Sequence, residues 1–260
     1  MTRRPKSPRL LRRTLLACLT GLGCLPATAA TLFVWPGSPS PTAPYTNWGK
    51  AAHTIQAAVD AAQAGDTVLV TNGVYATGGR AVSGTMTNRV AVDRAVVVRS
   101  VNGPGVTVIR GFQVPGTTNG DGAVRCAYLT NGAVLSGFML TNGATRAFGN
   151  ADKEQGGGGL WCESVNALVT NGTLTGSSAP FDGGGAYSGT LRNCVLTGNR
   201  ALRGGGAASC ALVNCTLTGN SAVFLGGGAA FGTLTNARSP ATQFTIRLKV
   251  ASEVEPPSAY

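Results

Sequence analysis

The sequence predicts an all-β chain wound as a parallel β-helix, and three observations carry that reading. One block is written about four times between Gly156 and Asn236, each copy opening on a glycine triplet. The asparagine that ends its middle segment recurs at Asn171, Asn193, Asn214 and Asn236, in steps of 22, 21 and 22 residues, the near-constant period of a solenoid. Within a copy, as in Leu212-Val213-Asn214-Cys215-Thr216-Leu217-Thr218-Gly219-Asn220, runs of three to five residues are broken by Asn and Gly, which suits short strands and forbids long helices. About 21 residues close one turn of three short strands, and stacking the turns at about 4.8 Å pairs each strand with its copies above and below.

Strand alternation then assigns faces. Leu174, Leu196 and Leu217 are expected inward with Gly172, Cys194 and Cys215. Thr173, Val195 and Thr216, and Thr175, Thr197 and Thr218, are expected outward as β-branched ladders. The asparagine column belongs at a bend, where stacked amides bond along the axis, and the glycine triplets at the tightest corner, where only Gly takes positive φ without cost. Counting from the last glycine of each triplet sends Leu160, Ala186, Ala207 and Ala229 inward and Trp161, Tyr187, Ala208 and Ala230 outward. Trp161 and Tyr187 should therefore stack one coil apart.

The start of the chain reads differently. Six basic residues from Arg3 to Arg13 precede a 12-residue apolar run, Thr14 to Leu25, and then Ala27-Thr28-Ala29-Ala30. That is the pattern of a secretory signal peptide over residues 1–30, too short to span a bilayer. The chain is expected to be secreted or displayed at the cell surface. Setting the leader aside leaves 15 basic against 10 acidic residues, so most of the formal charge of +11 disappears. The remaining arginines are scattered without an aromatic-basic motif, which argues against nucleic acid as a partner. Five cysteines remain, Cys126, Cys162, Cys194, Cys210 and Cys215, an odd number at no metal-ligand spacing, and neither a metal nor another cofactor is expected.

Residues 31–236 are read as one β-helix domain. Thr31 to Trp35 is a first strand, and Ile55, Ala58, Val59 and Ala62 recur at helical spacing before Gly65, giving a cap helix over about 51–64 that covers the open first coil. Ile109-Arg110-Gly111-Phe112 and Leu135-Ser136-Gly137-Phe138 are aligned with Leu212-Val213-Asn214-Cys215. The step from Gly137 to Asn171 then holds about a dozen extra residues, which fall in the charged loop 146–155. After Asn236 the repeat stops. Residues 237–260 form an irregular tail in which Phe244, Ile246, Leu248 and Val250 alternate with polar residues; either that strand closes the last coil or the natural chain runs on.

Ile55-Gln56-x-Ala58-Val59-Asp60-Ala61 and Gly65-Asp66-Thr67-Val68-x-Val70-x-x-Gly73-x-Tyr75 resemble the amino-terminal cap of the pectate-lyase-like superfamily of right-handed, single-stranded parallel β-helices. The Gly-Gly-Gly and Leu-Thr-Gly-Asn repeats resemble those of large secreted bacterial proteins such as polymorphic outer-membrane proteins and autotransporter passengers. The resemblance implies a fold that hosts lyases, hydrolases, epimerases and adhesins alike.

Lyases of that superfamily hold calcium on clustered carboxylates beside an Arg or Lys base, and its hydrolases use paired Asp with His and a basic residue. Here the single histidine, His53, falls in the cap. Glu163 and Asp182 are the acids of the regular coils, Asp152 and Glu154 lie in the preceding loop, and no two share a repeat column. The expectation is therefore a monomeric, non-catalytic scaffold or adhesion-type protein whose partner is an extracellular polysaccharide. Trp161 and Tyr187 would offer stacking surfaces flanked by Glu163, Asp152 and Glu154. The alternative is a polysaccharide lyase or glycoside hydrolase. Asp182 and Arg203, at successive corners, read as an ordinary surface pair.

Overall fold

A computed structural model describes residues 28–238; the first 27 residues of the expected leader and the run from Phe244 to Val250 lie outside the described residues. The chain winds as a right-handed parallel β-helix with three long sheets of eight, six and seven strands, here called A, B and C. A regular coil gives one short strand to each in turn: Leu168–Thr170 to A, Thr173–Thr175 to B and Ala186–Tyr187 to C. Every long-sheet pairing is parallel except that of Arg80–Ala81 with Thr87–Val92.

The interior column sits where alternation puts it. Leu174, Leu196 and Leu217 pair in register in sheet B and are buried. Two earlier coils extend the column through Ile109 and Leu140. This corrects the alignment of Ile109 with Leu212: Ile109 lies in sheet B beside Leu140, whereas Leu212 stacks in sheet A under Leu191, Val169 and Leu135. Short apolar runs look alike whichever sheet they join, and the irregular upstream coils lack the asparagine that marks the bend.

That bend has a definite backbone. Asn171, Asn193, Asn214 and Asn236 all adopt φ of 52–53°, and Gly137 takes the place with φ 81°. Asn193 Nδ2 donates to Asn171 Oδ1 at 3.4 Å and Asn214 Nδ2 to Asn193 Oδ1 at 3.3 Å. A second amide ladder, unanticipated, is buried at the corner after sheet B. Asn199 Nδ2 donates to the Leu174 carbonyl at 2.9 Å while Asn199 Oδ1 accepts from Ser177 N at 3.0 Å, which satisfies turn groups that water cannot reach.

The glycine triplets serve two needs. Their first members, Gly157, Gly183, Gly204 and Gly226, have φ of 61–66°. The second have ordinary φ but no room: a Cβ on Gly184 would lie 2.3 Å from the Arg200 carbonyl and one on Gly205 2.1 Å from that of Ser221.

The helix covers Ile55–Ala61, shorter than 51–64. Ala52 is held as a bridge to Val34, and Thr54 caps the helix by accepting from Ala57 N at 3.2 Å. Ile55, Ala58 and Val59 enter the core. Gln56 Oε1 accepts from Ala91 N at 2.7 Å, and Asp66 accepts from Ala30 N and Gln63 N, both at 2.7 Å, so the polar residues of the cap motif satisfy backbone at the first coils. The five cysteines among the described residues are free and buried. Among the described residues no helix is long and apolar enough to cross a membrane.

Candidate functional site

The outer face of sheet C carries an aromatic ladder. In-register pairing places Trp161 between Tyr128 and Tyr187. Its ring lies 5.5 Å from that of Tyr128 at 7° and 6.3 Å from that of Tyr187 at 14°. With Ala91 these rings form an apolar cluster separate from the interior core. Tyr128 extends the same outward count one coil back, through Ala127-Tyr128 opposite Leu160-Trp161, a signal the irregular spacing upstream obscured.

Trp161 is not an open platform. It is 8% exposed, both ring faces meet tyrosines, and its indole N–H donates to the Asp152 carbonyl at 2.8 Å. The loop 146–155 covers it, because outward placement on a sheet leaves a ring exposed only where no insertion folds back.

Two buried charges hold that loop. Arg125 is fully buried; its Nε donates to the Gly157 carbonyl at 2.8 Å, Nη1 to Asn88 Oδ1 at 2.9 Å, and Nη2 to the Lys153 and Gly156 carbonyls at 2.7 Å. Burial pushes its guanidinium down to about 9. Glu154 lies inside the loop, accepting from Asn150 N at 3.0 Å, Arg146 Nη1 at 2.8 Å and Thr85 N at 3.1 Å. Those donors hold its carboxyl down at about 2. Glu154 is thus a structural acid with its oxygens occupied, not the free ligand contact expected of it.

Glu163 stands at the other side of the ladder. It accepts from the Tyr128 hydroxyl and, at 2.7 Å, from Thr130 Oγ1, and these bonds lower its carboxyl. Tyr128 is raised, first by burial and then by that carboxylate.

The groups the fold gathers are Asp152, Tyr187, Asp182 and Arg203. Tyr187 donates its hydroxyl to the exposed Asp152 at 3.4 Å, and burial, then Asp152 and Asp182, raise the phenol. Arg203 grips both oxygens of Asp182 at 2.7 Å, with its guanidinium 4.5 Å from the ring of Phe181 and 5.2 Å from that of Phe231. Asp182 is almost buried, so the fork is firmer than the surface pair expected. No repeat column joins the two aspartates; the inserted loop does. Two carboxylates, a phenol and a guanidinium beside one sheet face can shuttle a proton and steady a developing charge. His53 is elsewhere, bonded to the Ser38 carbonyl at 2.9 Å. Among the described residues no three His, Cys, Asp or Glu side chains are grouped to hold a metal ion.

No family model and no curated protein sequence matches the chain. Solved structures do. A pectin methylesterase in complex with a hexasaccharide superposes with a TM-score of 0.50 at 17% identity, over 82% of this chain and 66% of that one. A rice weevil pectin methyl esterase matches at 16% identity and TM-score 0.42, over 73% and 64% of the two chains, and a rhamnogalacturonan lyase at 14% and 0.43, over 80% and 56%. The likeness to the first is one of fold, a parallel β-helix, and this chain spans about two thirds or less of each neighbour's length. None of these matches bears on the finer likeness to polymorphic outer-membrane proteins.

Proposed function

We propose that the chain is a carbohydrate-active β-helix that hydrolyses an extracellular polysaccharide at Asp152, Tyr187, Asp182 and Arg203, beside the outer face of sheet C. One observation carries the reading: the loop 146–155 folds back to bring Asp152 to the Tyr187 hydroxyl, on the side where Arg203 fixes Asp182. Asp152, exposed, takes the acid/base role, giving a proton to the leaving oxygen and taking one from the entering water. Asp182, nearly buried with both oxygens on Arg203, holds that guanidinium in place, and the guanidinium orients a polar or anionic group of the substrate beside Asp152. The fold neighbour solved with a hexasaccharide supports a glycan over other substrates, and the non-catalytic adhesin reading draws no comparable support. Hydrolysis is preferred to calcium-assisted elimination because the described residues offer no carboxylate cluster for a hard cation. Export by the leader of residues 1–30 belongs to the same proposal.

The test is incubation of the protein with a panel of pectins, xylans and glucans, reading new reducing ends, released methanol and unsaturated ends. Chelator-insensitive reducing ends, lost at least 100-fold in Asp152→Asn with the melting point kept, are expected, whereas methanol without new reducing ends would replace glycoside hydrolysis by ester hydrolysis. Calcium-dependent unsaturated products would replace hydrolysis by elimination, and a folded protein inert on every polymer would restore the scaffold reading.

A further inference from the structure

A second groove lies away from the aromatic ladder, at the corner where sheet B turns toward sheet C. It holds about 420 Å³ between the insertion that carries Gln113 to Asn119 and two successive corners, Gly176 to Ser178 and Gly198 to Arg200. The wall is pinned before any ligand arrives. Gln113 Nε2 donates to the Gly176 carbonyl at 2.7 Å, Asn119 Nδ2 to the Ser178 carbonyl at 3.1 Å, and Ser178 Oγ to Asn119 Oδ1 at 2.9 Å. Preorganisation of this kind lowers the ordering cost of binding.

The insertion is also strained. Thr118 has φ of 67°, held there by its amide, which donates to the Val114 carbonyl at 2.7 Å. A β-branched residue in the left-handed region persists only where its surroundings over-determine it, a condition that gathers at ligand clamps. The floor is open for a related reason. Gly176 and Gly198 have φ of 61° and 64°, and a Cβ on Gly198 would meet nothing within 4 Å.

The lining names the ligand. Thr117, Thr118, Ser177, Ser178, Gln113 and Asn119 line the groove, with neither an aromatic ring nor a carboxylate among the lining residues. Its one charge is Arg200, exposed, whose guanidinium has no ion pair or hydrogen bond among the described residues. By contrast Arg203, on the same strand Arg200–Arg203, spends its fork on Asp182. We infer that this groove binds a glycan through an oxyanion substituent, carboxylate or sulfate ester, with Arg200 as its bidentate contact and the Thr117 and Thr118 hydroxyls as contacts to sugar hydroxyls. The site goes beyond the hydrolytic reading and does not need it.

The experiment titrates the full chain carrying Asp152→Asn, which separates binding from turnover, with hexagalacturonate, a heparin-derived hexasaccharide and neutral xylohexaose by calorimetry. At least one charged hexamer is expected to bind at least tenfold more tightly than xylohexaose and to weaken with added salt. Adding Arg200→Gln should weaken it at least tenfold with the melting point unchanged, and Gln113→Ala, which frees the wall, should weaken it by a smaller factor. Which charged hexamer is held identifies the carboxylate or the sulfate as the source. Equal binding of xylohexaose, undiminished binding by Arg200→Gln, or no binding of any of the three overturns the assignment. The polymer assay with unmodified Asp152 is read independently of it.

Discussion

Tyr187 reaches Asp152 with its hydroxyl across 3.4 Å although 35 positions separate them in the chain. The contact joins a repeat coil to an insertion, and it marks where the regular solenoid becomes a particular molecule. Because it is solvent-exposed, Tyr187→Phe should lower stability by only about 1 kcal/mol or less. Faster amide exchange confined to residues 146–155 would confirm its role; a global loss of protection would refute it.

Removing the covered ring should do more. Trp161→Ala empties the space between two stacked tyrosines and deletes the bond to the Asp152 carbonyl. A loss of about 3 kcal/mol is expected in urea titration. An unchanged midpoint would mean that the ring carries little packing.

The interior column makes a harsher test. Leu196 is completely buried between Leu174 and Leu217, so Leu196→Asp should cost more than about 4 kcal/mol and abolish cooperative folding, while Leu196→Ala should cost about 2–5 kcal/mol. Circular dichroism with thermal melting reads both, and a tolerated aspartate would show that the column is not dry.

Acid should loosen the loop before the coils. Glu154 is held at about 2 against an ordinary 4.5, so its carboxylate contributes stability that is complete above about pH 4.5 and is lost as the pH falls through about 2. Trp161 fluorescence should therefore shift between those values while far-ultraviolet ellipticity persists. Glu154→Gln should remove the pH dependence and leave the loop loosened throughout; a variant with the parent's acid limb would assign the transition to another group.

Arg125 supplies the matching test from the other side of the loop. It is a buried cation whose acceptors are the loop carbonyl of Lys153, the carbonyls of Gly156 and Gly157 just after the loop, and Asn88. Arg125→Met should leave those acceptors unpaired and cost about 3 kcal/mol, with loss of protection at residues 146–157. Unaltered exchange there would mean that Glu154 alone suffices.

The repeat by itself determined the solenoid, the inward leucines, the asparagine bend and the opposition of Trp161 and Tyr187. Each follows from a period of two along a strand and about 21 around a coil, which is local information copied from turn to turn. It also marked loop 146–155 as an insertion. What the insertion covers only the tertiary structure decided, since a ten-residue loop can fold toward or away from a sheet with the same composition. Trp161 lost its exposure, Glu154 its freedom and Asp152 its isolation through contacts 8 to 69 positions apart. Ile109 changed sheets for a related reason: outside the regular coils, a short apolar run does not record which of three sheets it joins. Pairing does, because each backbone amide must find its partner in the coil above or below.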